Sequence, residues 1–418
     1  MKEKKVLPLV LTMSYPMAIS MAVNALYNIV DSFFVAQLDV KAMTALSLLF
    51  PVQNLSHSAA VGFAIGINAT VAFYLGQEKS EPADRAVSSG MLLSIIHGFI
   101  LTAICISVMP WFLSMFTDDA AITNYGIEYS LYVFLFAPMD CMFLTCEKIF
   151  QATGRMKTTM FCLAAGCITN IILDPLMIFG IGPFPQMGVA GAATATVLAQ
   201  AIVTAMFLLA ARREITVFPQ IHIFQASQWR AWAEILKIGF PSAVQYALTV
   251  VAVAAQAKFV SRYVTEAVAG LGIVKKLDQL PLYFSIGVAN GLLPLLAYNN
   301  AAGNHERRKN AFRFGCVVSF GFAFLCLIVY EIFAEPLAGI FIDDRLTAEY
   351  AASFLRIMVT AMPLMAVCYP MIVQFQAIGR LKESLVCSVA RKGVLDIPLL
   401  FILDRLWPLY GCMAVQPV

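Results

Sequence analysis

Apolar residues in this chain come in long blocks, separated by short joints where charges, prolines and glycines collect. Between Ala86 and Thr117 there is no Asp, Glu, Lys or Arg, and from Thr158 to Ala211 the one such residue is Asp174. A lipid-crossing helix needs about 20 apolar residues, whereas a barrel strand needs about ten in strict alternation. The pattern therefore predicts an all-alpha polytopic membrane protein and excludes a porin-like barrel. Spans are expected near 8–35, 45–75, 88–113, 125–147, 158–180 and 188–211, then 236–261, 267–298, 312–334, 350–378 and 384–403. That is eleven complete spans, with a twelfth beginning at about Pro408. The short MKEKK start reads as the flank of a retained first helix rather than a cleavable signal.

Composition supports this medium: 60% of the 418 residues are hydrophobic and 13% charged, with a mean hydropathy of +0.80, against about a quarter charged in a soluble domain. Lys and Arg in the joints fall 18 on one side, including Arg85, Arg155, Arg212 and Arg308, and four on the other: Lys41, Arg262, Arg345 and Arg405. The basic side is therefore expected in the cytoplasm with the N-terminus, and a net charge of +3 spread over these joints is no footprint for nucleic acid. Ten scattered cysteines with no CxxC pair suggest neither a disulfide framework nor a zinc site. Four histidines, with His97 alone in a span, show no metal-ligand spacing. Neither an enzyme nor a cofactor is expected.

The chain is written twice. QATGRMK at 151–157 and QAIGRLK at 376–382 share five of seven residues at an offset of 225. The same offset pairs Tyr15-Pro16 with Phe240-Pro241, FTDD at 116–119 with FIDD at 341–344, and Pro138 with Pro363. With a small slip, FAIG at 63–66 pairs with FSIG at 284–287, and Asp174-Pro175 falls near Asp396 and Pro398. An ordered series of this kind is evidence of internal duplication. Because six spans is an even number, the two copies are parallel repeats, the arrangement used by transporters that rock two bundles about a cleft. The expected domains are an amino-terminal six-helix lobe at 1–211, a cytoplasmic linker at 212–235 and a carboxy-terminal lobe at 236–418. The first copy's sixth span predicts a partner near 410–433, so helix 12 is expected to be incomplete.

Two acids stand out in the first lobe. Asp31 interrupts NALYNIVDSFF in a stretch otherwise free of charge from Val6 to Leu38, and Asp174 is alone in its span. A charge at mid-membrane costs about 2.5–3.5 kcal/mol even on lenient insertion scales, which marks such residues as functional. With the N-terminus inside, Asp31 lies about 33 Å along the helix from Leu9, in the outer part of its span, and Asp174 reaches similar depth. Asn170 precedes Asp174 by one helical turn and shares its face, and Pro175 frees backbone carbonyls beside the acid. Thr194 and Thr196 return to that level in the next span. Carboxylates, an amide oxygen and a hydroxyl form a hard oxygen set that suits a sodium ion, and a raised carboxyl pKa would suit a proton. A structural network tying helices 1, 5 and 6 is the plain alternative. In the second lobe, Lys258, Lys275, Lys276, Asp278, Arg391, Lys392 and Asp396 are expected to form structural or gating ion pairs, with direct substrate contact as the alternative. Asp140 and Glu147 sit in the fourth span, Glu147 near enough to the joint to be interfacial.

NALYNIVDSFFVAQL at 24–38, QATGRMK, NIILDP at 170–175, GAATAT at 191–196 and LAYNNAAGN at 296–304 resemble the multidrug and toxic compound extrusion (MATE) family, particularly its bacterial DinF-like branch, over essentially the whole chain. The resemblance implies a twelve-helix, two-lobed antiporter of the bacterial inner membrane that exports small organic cations in exchange for sodium or protons. A monomer in contact with membrane lipid is expected. By motif match, Asp31 takes the place of the family's first-helix acid, Asn170 and Asp174 its helix 5 cation-site positions, and Thr196 its helix 6 hydroxyl, with Thr194 a neighbour. Another branch places acids in helices 7 and 10, but 239–261 and 351–379 contain none here. A lipid-linked sugar or polysaccharide flippase of the wider superfamily is the alternative that Arg391 and Lys392 keep open. Such proteins typically have fourteen helices and a basic cavity. A non-transporting scaffold would leave the duplication and the paired acids without a use.

Overall fold

The computed structural model describes residues 5–36, 40–117, 119–214, 229–342 and 344–417. All regular structure among them is helical: α1 Val6–Ala36, α2 Val40–Gly76, α3 Ser80–Ser114, α4 Ala120–Leu135, α5 Ala137–Ala152, α6 Met156–Phe179, α7 Val189–Glu214, α8 Trp229–Val260, α9 Thr265–Ala301, α10 His305–Gly339, α11 Arg345–Val359, α12 Met362–Ala377, α13 Leu381–Val389, a π-helical turn Ala390–Leu395, α14 Asp396–Leu406 and α15 Tyr410–Ala414. Most of the linker predicted at 212–235 lies outside the described residues.

The repeated motifs turn out to be helix punctuation. The last aspartate of each FxDD caps the next helix: Asp119 accepts from the backbone N–H groups of Ala121 and Ile122 at the start of α4, and Asp344 from that of Thr347 at the start of α11. These carboxylates satisfy N–H groups that a helix start leaves open. Each QA-x-G-R motif ends a helix. Gly154 and Gly379 take left-handed φ values of 80° and 75°, and the next residue folds back, Arg155 N–H to Phe150 O and Arg380 N–H to Phe375 O, both at 2.9 Å. That is the 6→1 bond of a Schellman stop, where a side chain bearing Cβ would be strained. The paired prolines, Pro138 and Pro363, lie in the first turn of α5 and α12. Each follows a bend, 45° between α4 and α5 and 50° between α11 and α12, because proline fits a helix start but not its interior.

The FAIG and FSIG motifs mark close crossings. A Cβ on Gly66 would stand 2.3 Å from the carbonyl oxygen of Ile235 in α8, and one on Gly287 in α9 would stand 2.5 Å from Cα of Ala18 in α1. In each copy the second helix thus meets the first helix of the other copy, with glycine allowing backbone contact.

Among the described residues, eight helices are individually long and apolar enough to cross a membrane, and ten spans result when each bent pair counts as one. The difference from the eleven expected is the segment 384–403, which is no single α-helix but α13, the π turn and α14 in succession. Pro398 offers no N–H to the Val394 carbonyl, and a shifted hydrogen-bond register, Asp396 N–H to Arg391 O, is one way a helix accommodates such a break.

The chain forms two compact units, one of Met1–Ala22, Ala247–Asn299 and Gly303–Val418, the other of Val23–Tyr246 and Asn300–Ala302. Helices α1 and α8 each contribute to both. The core of the first centres on Phe354, Leu355, Met358 and Val359 of α11 with Tyr330, Leu400 and Met413. In the second, Leu49, Met109, Leu113 and Phe134 pack together.

Candidate functional site

Within the second unit, α6 and α7 approach closely because Gly191 has no side chain: a Cβ there would lie 2.5 Å from the carbonyl oxygen of Met177. The approach brings the face carrying Asn170 and Asp174 against α7. Asp174 is fully buried and Asn170 nearly so, at 0% and 2% exposure. The Asn170 amide donates to Asp174 Oδ1 and to Thr196 Oγ1, both at 3.3 Å. Its own Oδ1, buried, meets no hydrogen-bond donor among the described residues. Thr194 faces elsewhere and donates to the Ala190 carbonyl of its own helix at 2.7 Å. Three of the predicted residues therefore form one cluster. Asp31 has helical backbone within α1, but its side chain lies outside the described residues.

One turn further along α7, Gln200 donates to Asp140 Oδ1 at 3.0 Å, and His57 Nδ1 lies 3.5 Å from Asp140 Oδ2. Thr196 and Gln200 share a face, being four residues apart, so the polar groups continue along α7 from Asp174 to His57. Sequence reasoning missed Gln200 and His57, although the i, i+4 step from Thr196 was a usable signal. Glu147, expected at the interface, is buried. Lys148 donates to it at 3.1 Å, Gln151 donates to it at 2.6 Å, and Lys148 also donates to Gln151. Both charged residues are only 4% exposed.

In the first unit, Lys258 and Lys276 are exposed. Lys392 donates to Asp396 at 2.7 Å across one turn, and Gln416 reaches Asp278 at 3.5 Å. Lys275 lies within electrostatic range of Asp278, Lys392 and Asp396. Arg391 lies over the Tyr369 ring, 5.4 Å from its centroid, and a Tyr369 hydrogen bond and the charge of Asp396 act on it. No group of three or more His, Cys, Asp or Glu among the described residues could hold a metal ion by itself.

The chain is thus a duplicated helical membrane protein with a buried acid–amide–hydroxyl cluster in one unit. Its family follows from comparison. The MatE family model matches residues 16–176 and 241–402, one match in each copy, so the chain belongs to the MatE family. A relative described as "FAD transporter", from Shewanella oneidensis, is 26% identical over 98% of this chain and 90% of its own length. "Multidrug export protein MepA" of Staphylococcus aureus is 28% identical over 96% and 88%. Among solved structures, the outward-facing conformation of a multidrug resistance MATE family transporter superposes with a TM-score of 0.91 at 22% identity, covering 100% of this chain and 95% of that one. The fold is therefore the MATE transporter fold.

Proposed function

We propose that this chain is an antiporter that exports small organic cations in exchange for sodium or protons, with Asp174, Asn170 and Thr196 as described partners of a coupling site that also includes Asp31. The carrying observation is the fully buried Asp174 held by Asn170, whose second donor is spent on Thr196 and whose buried carbonyl is left as an acceptor. Carboxylate, amide carbonyl and hydroxyl oxygens are what a small hard cation prefers, and the same carboxylate could instead take up a proton. Two cationic ligands that compete for one negative site are exchanged without touching, since loading one lowers the affinity for the other. A relative named for multidrug export supports the substrate class.

The finer reading follows the joints. The basic side, with the N-terminus, Arg85, Arg155 and Arg308, faces the cytoplasm of a bacterium. The halves at 1–211 and 236–418 act as two lobes of one monomer in membrane lipid, within the DinF-like branch of the family. Labelling of a cysteine at 308 from outside intact cells would overturn this topology. The function is tested in proteoliposomes carrying the chain, loaded with rhodamine 123 as a lipophilic cation. Dye movement driven separately by a sodium and a pH gradient is expected, and movement of anionic or lipid-linked solutes only would overturn the exporter reading.

A further inference from the structure

The four-residue step that joins Asn170 to Asp174 in α6 has a counterpart of the same length in the second copy, where Lys392 precedes Asp396. Each pair follows its own QA-x-G-R turn, the acid lying 19 residues after Arg155 in one copy and 16 after Arg380 in the other. Three residues are close to one helical turn, so the second acid stands about a turn nearer its entry. What differs is the group beside the acid. In the first copy it is a neutral amide, donating to Asp174 Oδ1 at 3.3 Å, and no Lys or Arg occurs from Thr158 to Ala211. In the second it is an ammonium, donating to Asp396 Oδ2 at 2.7 Å, and the two side chains are only 15% and 17% exposed. Further positive charge reaches Asp396 from Arg391, which Tyr369 also holds by a hydrogen bond, and from Lys275. Asp278 offsets part of it by acting on Lys275 and Lys392. A carboxylate so supplied has little attraction left for a cation from solution. The step lies in the π turn Ala390–Leu395, a form that appears mostly at functional sites. A lysine ammonium is a compact single positive charge on a flexible stem, so it can stand where a monovalent ion would stand.

We propose that the Lys392 ammonium is a tethered cation: it fills in the second copy the place that a mobile monovalent cation takes beside Asp174 in the first, and so confines coupling-ion binding to one copy. The inference rests on the reading of the chain as a cation-coupled antiporter. Replacing Lys392 by asparagine rebuilds the amide–acid step of α6 and opens the second place to sodium.

The test reads binding, not transport. Thermal unfolding of the purified full chain in uncharged detergent is followed as sodium replaces N-methylglucammonium at constant ionic strength, since an ion that binds only the folded chain raises its unfolding temperature. In an Asp174→Asn background, which removes the first-copy site, no sodium-dependent rise is expected. Adding Lys392→Asn should create a saturable rise, and adding Asp396→Asn as well should weaken sodium binding by about 10-fold or more, the scale of one interaction with a charged group. Lys392→Leu, which removes the ammonium without supplying an oxygen, should bind sodium about 10-fold more weakly than Lys392→Asn. Indifference to sodium in the Lys392→Asn chain overturns the proposal, and so does a rise that survives Asp396→Asn unchanged. Equal sodium affinity in Lys392→Leu also overturns it, because a bare carboxylate would then suffice. A sodium response that persists in Asp174→Asn with Lys392 in place and is lost with Asp396→Asn overturns it too, since the second place would already be open. Should Lys392→Asn fail to fold, Lys392→Gln, the same amide on a longer stem, carries the comparison with the same outcomes. Sodium indifference in the unmodified chain is a result on the coupling reading alone, and the gain in Lys392→Asn still decides this one.

Discussion

Helix α6 and the segment from α13 to α14 stand at corresponding places in the two copies, each following a QA-x-G-R turn. The first runs 24 residues without a break, through Pro175, and buries an acid, an amide and a facing hydroxyl. Its counterpart breaks into a π turn and gathers Arg391 and Lys392 beside Asp396. The two regions keep the same entry turn and differ in polarity. Many of the positions that match between copies are caps, stops, bends and crossings. Some interior polar residues have diverged, Glu147 and Lys148 corresponding to Ile372 and Val373. One backbone plan therefore carries two chemistries.

The largest effect that sharpens this contrast is expected at Glu147 and Lys148, which in the second copy correspond to Ile372 and Val373. Glu147→Ala leaves Lys148 buried and without its carboxylate, and should cost about 3–5 kcal/mol of stability in denaturant unfolding. The double change Glu147→Ile with Lys148→Val, borrowed from the second copy, should recover most of that loss. A double variant as unstable as the single one would show that the ion pair is not interchangeable with apolar packing.

Next come the acids. Asp31→Asn and Asp174→Asn should each lower gradient-driven rhodamine 123 transport by about 100-fold, equivalent to roughly 2.7 kcal/mol, with folding intact. Asp396→Asn, at the basic counterpart, should stay within about tenfold of wild type. Undiminished transport by Asp31→Asn would return that residue to a structural role, and equal losses at Asp174 and Asp396 would erase the functional asymmetry.

Gly66→Ala and Gly287→Ala should destabilise by about 1–3 kcal/mol each, since the added methyl meets backbone and the helices must part. Similar thermal shifts are expected because the two crossings are equivalent. A shift at one site alone would mean that the second copy has slackened there.

The smallest effects belong to the caps. Asp119→Ala should cost about 1 kcal/mol. The Thr347 hydroxyl and then its backbone N–H hold the Asp344 carboxyl below the usual carboxylate range. That contribution is present above the unfolded carboxyl pKa of about 3.9 and is lost as pH falls through the lower folded value. Thermal unfolding of Asp344→Ala should therefore differ from wild type above about pH 4 and converge with it at lower pH. A constant difference down to pH 2 would remove the cap from the account.

Much of this was present in one dimension. Helices, their ends and the duplication are local or periodic signals, and Asn170 with Asp174 needed only the four-residue helical step. What spacing could not decide is how each helix is rotated against its neighbour. That rotation turns Thr196 toward Asn170 and Thr194 onto its own backbone. It also joins Gln200, Asp140 and His57, which come from three helices. The sealing of Glu147 with Lys148 and the exposure of Lys258 and Lys276 likewise depend on which face packs inward. No residue pattern announces the π turn at Ala390–Leu395. Close contacts such as Gly191 on Met177 set these rotations. They are made between residues distant in the chain, so only the tertiary structure decides them.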